Sequence, residues 1–305
     1  MRLRIGLTVG MLASITLSAH AEGDSLVDDL GPREIAVGEA MRAGATGSTA
    51  IGLNPAGLPL NQELVFEGGY GYRASDSASL VSASACDSTN VLPGCFYYDY
   101  AGSNPDLMGV SDHRATHIAG TTLAYPISPG LSFGSSAKYF HHTTNVMGED
   151  DTSGFTFDVG ANYRIANAIS VGAAVYNAFG TESPEFPRAA GGGVLVRPVQ
   201  MLALSFDARW KLIDGDHSAR YGGGAELFMR NDSGQVGFPL RAGVLHDSGL
   251  GVTYLSAGLG LAGMKYGLDV AARHAVDGSD ETMFIASLRF FGPRLQPGQN
   301  ADSTF

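Results

Sequence analysis

The stretch Leu202 to Leu212, LALSFDARWKL, sorts its residues by parity. Leu202, Leu204, Phe206, Ala208, Trp210 and Leu212 fall in one set; Ala203, Ser205, Asp207, Arg209 and Lys211 fall in the other. Side chains on a strand alternate between two faces, whereas a helix would spread both sets around its axis. The segment is therefore a strand with one apolar face and one charged face. About ten residues of this kind match the span of a tilted transmembrane strand. Similar segments recur down to Phe291. The pattern specifies an all-β chain, a transmembrane antiparallel β-barrel, in preference to a soluble domain.

The repeating segments number about twelve, at roughly 63–73, 115–125, 131–142, 154–164, 169–179, 187–197, 201–212, 218–230, 238–247, 252–261, 265–275 and 281–291. An even count is expected of a single-chain bacterial barrel. The interval 74–111 has room for one more hairpin near Leu80 and Phe96–Tyr98, which would make fourteen. The connections alternate. YPISPGL (125–131), RIANAI (164–169) and RPVQM (197–201) are tight turns built on Pro, Asn and Gly. Between them come the longer polar stretches 74–114, 142–154 and 179–186. Short turns at one end and longer loops at the other are the asymmetry of outer-membrane barrels. A soluble β-sandwich would also bury one face of each strand. It does not require aromatic residues near both strand ends, where a membrane barrel carries its interfacial girdles.

With the apolar faces on lipid, the opposite faces line a lumen. On that side lie Glu67, Arg73, Lys138, Asp158, Arg164, Asp207, Arg209, Lys211, Glu226, Arg241, Lys265, Asp269, Arg273 and Arg289. A Lys or Arg on the lipid face at the bilayer midplane would cost about 2–4 kcal/mol. Both signs are mixed, so the lumen is either filled by cross-strand ion pairs or forms a polar conduit. The strand 115–125 has no clear outer face and stays unoriented.

The remaining composition narrows the class. No apolar run of helix-spanning length follows the N-terminus, and a net charge of −11 leaves no basic field for nucleic acid. Residues 1–21 have the form of an export signal: Arg2 and Arg4, then an apolar core to Leu17, then Ala19-His20-Ala21. A short membrane anchor is the other reading of that segment. Export predicts a disulfide between the two cysteines, Cys86 and Cys95, within one loop; two free thiols are the alternative.

Residues 22–62 lack alternation and end in GLNPAGL, Gly52 to Leu58. GPREIAVGEAMRAGATGSTAIGLNPAGL (31–58), with Asn54, Pro55, Ala56, Gly57 and Leu58 at its end, resembles the N-terminal segment of the FadL-type outer-membrane transporter superfamily, which includes PorV-like short members. YPISPGLSFGSSAKYF (125–140) and ISVGAAVYNAFG (169–180) are similar to PorV-like barrels. The resemblance implies that residues 22–62 fold into the lumen as a partly helical hatch, that 63–291 form the barrel in a Gram-negative outer membrane, and that 292–305 are a polar periplasmic tail. The residues give a reason for the hatch: Pro55 holds Asn54 extended and Gly57 permits a sharp turn. An ordinary turn into the first strand is the simpler alternative. The chain departs from the family in being short. Its longest loop offers Val91, Leu92, Phe96, Tyr97 and Tyr98 as an apolar landing site, or as packing on the barrel rim.

Chemistry finds no foothold. His113, His117, His141 and His142 cluster near one loop, without the carboxylates or cysteines that would complete a metal site. Ser136, His142 and Asn145 form a nucleophile set only on paper. The runs 189–194 and 221–226 are glycine-rich but precede no helix, so they are strands rather than phosphate loops. The expectation is a non-enzymatic barrel in outer-membrane lipid that requires no cofactor. It either passes a small hydrophobic compound, fatty-acid-like, or docks a secreted or envelope protein. The strand 283–291, MFIASLRFF, resembles the terminal signal of outer-membrane barrels.

Overall fold

The computed structural model describes residues 31–292, apart from 105, 108–109, 167, 214–217 and 232–234. The expected export signal and the polar tail beyond Gly292 lie outside the described residues.

Three short helices come first: α1 (Pro32–Ala36), α2 (Ser48–Leu53) and a 3-10 turn (Pro55–Leu60). The strands are β1 (Leu64–Arg73), β2 (Ala78–Asp87), β3 (Gly94–Ser103), the two-residue pair β4 (Asp106–Leu107) and β5 (Val110–Ser111), β6 (Arg114–Ser128), β7 (Leu131–Thr144), β8 (Thr152–Ala166), β9 (Ile169–Gly180), β10 (Ala189–Val199), β11 (Leu202–Lys211), β12 (Ala219–Arg230), β13 (Gly237–Asp247), β14 (Val252–Ala262), β15 (Tyr266–Asp277) and β16 (Thr282–Phe291). All except β4 and β5 form one closed antiparallel barrel of fourteen staves, sealed by β1 against β16 from Val65↔Phe291 to Arg73↔Met283.

The count is fourteen rather than twelve because β2 and β3 occupy the interval expected to be mostly loop. In β2, ASLVSASACD, serines and alanines take positions where larger apolar residues would mark a face. Cys86 and Cys95 are register partners across this hairpin and are disulfide-bonded, so the bridge sits in the wall rather than in a loop. Both cysteines are buried and belong to one apolar cluster with Val37, Met41 and Leu53 of the N-terminal segment. The proposed landing site also dissolves. Val91 and Leu92 lie in the 88–93 turn at the short-turn end, Phe96 and Tyr98 project outward, and Tyr97 is buried on the inner side.

The outer face is apolar around the circumference, with Phe66, Phe96, Leu123, Phe155, Phe206, Leu259 and Phe284 all exposed. Tyr125, Tyr163, Tyr266 and Phe290 stand near the short-turn end, and Tyr72, Tyr139, Trp210 and Tyr221 near the other. Only lipid satisfies such a surface, and aromatic residues at both rims are the girdles of a membrane barrel. No helix among the described residues is long and apolar enough to cross a membrane. β6 is now oriented. Thr116, Ile118, Thr122 and Ala124 are buried inside, while Leu123 and Tyr125 are exposed outside. Its sequence resisted orientation because Ile118 and Ala124 are apolar residues that pack on the lumen contents.

Those contents are residues 31–62. Contacts run from α1 to β13, β14, β15 and β16, and from the 3-10 turn to β6, β7 and β8 on the other side. A segment that touches staves on opposite sides of a closed barrel lies within it.

Candidate functional site

Glycines in the wall let the N-terminal backbone approach closely. A Cβ at Gly172 of β9 would collide with the Arg42 carbonyl, and one at Gly134 of β7 with the Pro55 backbone. Gly222 and Gly224, in one of the glycine-rich runs, face Gly38 and Val37 in the same way. The glycines that read only as close-packed strands therefore accommodate this segment.

Asn54, at the head of the NPAGL motif, is fully buried. Its Oδ1 accepts from Ala56 N at 3.1 Å, and its Nδ2 donates to Arg42 O at 2.9 Å and to Ala161 O of β8 at 3.0 Å. Pro55, Ala56, Gly57 and Leu58 are buried in the 3-10 turn, and Ser132 of β7 donates to Ala56 O at 2.6 Å. Asn162 of β8 donates to Ala43 O at 3.1 Å.

Charged pairs tie the same segment to the wall. Arg42 meets Asp207 at 3.0 Å through its guanidinium and at 2.8 Å through its backbone N–H. Its Nε donates to the Tyr176 hydroxyl at 2.7 Å, and Arg209 lies over the Tyr176 ring. Gly38 and Glu39 both have positive φ, 65° and 59°, and this reversal delivers the Glu39 carboxylate to Arg273 at 3.4 Å and to Arg220 at 3.8 Å. Arg273 also meets Glu281 at 2.8 Å, and Glu281 meets Arg73 at 3.7 Å. Toward the short-turn end, Arg33 and Arg241 share Glu226, at 3.4 and 2.6 Å, while Arg241 and Arg289 share Asp269. Lys138 pairs with Asp158 at 2.9 Å, and Ser48 donates to Glu67.

The sequence-derived lumen set thus falls into clusters, most of them completed by a residue of the N-terminal segment. Arg164 and Lys211 are half-buried near opposite strand ends. Lys265 departs from the expectation: it lies in the turn before β15 and is exposed, because the strand begins one residue later. Arg33, Glu39, Arg42 and Tyr176 were missed as lumen residues. The available signal for the first three was the run of four charges, Arg33, Glu34, Glu39 and Arg42, inside a segment otherwise uncharged. Ser136, His142 and Asn145 do not assemble. Ser136 and His142 lie six residues apart on β7, roughly 20 Å at strand rise, and bond Thr122 and Thr116 respectively. Among the described residues no group of three or more metal-ligating side chains converges.

Two adjoining cavities flank the N-terminal segment, one against β1, β2 and β3 and the other reaching from β3 across to β7, β9 and β11. One, of about 120 Å³, lies between the N-terminal segment and the wall, among Ile51, Leu80, Ile118 and Ile285, with Glu34, Glu67 and Asp99 also in its lining. The other, of about 60 Å³, reaches the 181–188 connection through Glu185 and Phe186, beside Arg42, Lys138 and Arg209. Ile51, Gly52, Tyr97, Asp99 and Ile118 belong to both, so the cavities adjoin. The larger lining extends to Tyr70 and Val81, whose side chains are on the lipid side; with glycine at 69 and 71 the wall there is backbone-thin.

The same architecture occurs in solved structures. A monoaromatic hydrocarbon channel, CymD, superposes with a TM-score of 0.66 at 12% identity over 88% of this chain and 98% of that one. The Pseudomonas putida toluene transporter TodX gives 0.66 at 12% identity, over 86% and 97%. The chain has the FadL-type barrel fold. A Pseudomonas aeruginosa FadL homologue gives 0.66 at 12% identity, over 86% of this chain and 98% of that one. No family model and no curated relative matches the chain.

Proposed function

We propose that this FadL-type barrel sits in the outer membrane and passes a small hydrophobic compound around its N-terminal segment, which acts as a hatch. The carrying observation is the pair of adjoining cavities between that segment and the wall, the larger against β1–β3 and the smaller toward β7, β9 and β11. A cavity of about 150 Å³ with apolar walls holds a benzene ring, and the larger cavity here, about 120 Å³, approaches that size. The compound enters by the smaller, polar cavity under Phe186 and rests in the larger one. It leaves when the 31–60 segment shifts. Structural neighbours named as hydrocarbon channels and a toluene transporter support this substrate class. Along β12 to β15, the Glu226–Asp269 and Glu39–Arg273 clusters fix the segment, so the movement is placed in the part of it that faces β1–β3. The role proposed is passage.

The test is saturable uptake of radiolabelled toluene into lipopolysaccharide-containing vesicles carrying the barrel, compared with Ile51→Trp. Ile51 lines both cavities. Uptake above that of empty vesicles, abolished by I51W in a folded barrel, is expected. Uptake equal to that of empty vesicles would end the reading.

A further inference from the structure

The larger cavity has a charge character that a hydrocarbon does not need. Its lining contains three carboxylates, Glu34, Glu67 and Asp99, and no lysine or arginine. None of the three has an ion-pair partner among the described residues, in a lumen where Asp158, Asp207, Glu226 and Asp269 all do. Glu34 is 3% exposed. Glu67 accepts from Ser48. Asp99, inward-facing on β3 between buried Tyr97 and Ala101, is half-buried, as is Glu67, and has neither a hydrogen bond nor an ion pair among the described residues. Lys138 lines the adjoining cavity but is committed to Asp158 at 2.9 Å.

Enclosing a carboxylate without a partner is costly, by several kcal/mol for a fully desolvated ion. A mobile cation that arrives with its own apolar body removes that cost. We infer that the larger cavity binds an organic amine: an ammonium group placed at Asp99 and Glu67, with its hydrocarbon part against Ile51, Leu80 and Ile118. The inference rests on the passage reading and specifies its substrate class. The same arrangement disfavours a fatty acid, whose carboxylate would meet three others. The smaller cavity, which shares Asp99 and sets Arg42, Lys138 and Arg209 beside Glu39, Asp99 and Glu185, has no such bias.

Three ligands of one shape and different charge separate the possibilities: benzylamine, benzyl alcohol and benzoate. Titration calorimetry at pH 7 on the intact barrel in detergent is expected to show benzylamine binding at least about tenfold more tightly than benzyl alcohol, with benzoate weakest. In Asp99→Asn, benzylamine should fall to within about threefold of benzyl alcohol measured on the same variant. Glu67→Gln is the second variant, with retained heat-modifiable migration as the folding control. Benzyl alcohol binding as tightly as benzylamine would overturn the amine assignment and leave passage of a neutral compound standing. So would an amine preference that survives both substitutions. Absence of binding by all three ligands would overturn both.

Discussion

Asn54 uses every polar atom of its side chain: Oδ1 holds the 3-10 turn closed, and the two Nδ2 hydrogens bridge the Arg42 and Ala161 carbonyls. Its replacement separates two effects. Asn54→Ala leaves buried groups unsatisfied at a cost of about 1–3 kcal/mol. Asn54→Asp keeps the shape but turns an acceptor toward two carbonyl oxygens, so it should loosen the segment more than alanine does. The rate of tryptic cleavage at Arg42 in the folded barrel measures this, in the expected order Asp, then Ala, then wild type; the reverse order of Asp and Ala would show that the amide bonds are unimportant. Gly172→Ala tests the wall side of the same contact. Its added Cβ meets the Arg42 backbone rather than a flexible side-chain tip, so the neighbour can yield only by moving the segment. Cleavage at Arg42 should accelerate while barrel migration stays normal.

Among the elements, the 145–151 connection is held by a single charged clamp. Arg114, at the start of β6, donates to Glu149 through Nε at 2.8 Å and through a second guanidinium nitrogen, and Thr144 adds a bond at 3.1 Å. The hydrogen bond from Arg114, followed by its charge, holds the Glu149 carboxyl below the usual glutamate range. A carboxyl lowered in the folded state contributes its stability above the pKa of the unfolded chain and loses it as pH falls through the folded value. The protection of amides in 145–151, exchange relative to the intrinsic rate at each pH, should therefore fall on acidification below the ordinary glutamate range, and Arg114→Gln should remove that step. Protection that is flat with pH in the wild type would contradict the clamp. How far the elements were legible in sequence follows from their side chains. β11 and β16 announced themselves because one face had to be greasy for lipid and the other was charged. β2 did not, since its small residues suit a wall packed on the N-terminal segment and carry little alternation. NPAGL could be read because Pro and Gly act locally. The Arg42–Asp207 pair could not, because its two ends lie far apart in the chain and only barrel closure joins them.

At the scale of the whole molecule, the wall and its contents are separable in connectivity but not in charge. The register from β1 through β16 is continuous without help from residues 31–60, so a chain lacking that segment retains every stave. Asp207 would then lose Arg42, and Arg273 and Arg220 would lose Glu39, whereas Arg241 would still bridge Glu226 and Asp269. Arg273 would keep Glu281 and Arg220 would keep Asp247; the cost falls on Asp207, and removing the segment also admits water, which solvates it. The expected variant is therefore folded, less stable than the parent and hydrated along its lumen. Single-channel recording in planar bilayers gives the measurement: the intact barrel should show little ionic conductance, because the segment fills the lumen, and the variant without residues 22–60 should show discrete open steps. A third form, Arg42→Met with the segment retained, distinguishes filling from charge. It removes the guanidinium from Asp207 and Tyr176 while leaving the backbone, and its N–H bond to Asp207, in place, so it should lower thermal stability without opening a pore. Porin-like conductance from the intact protein would mean that the segment does not close the lumen, and the hatch would have to be abandoned.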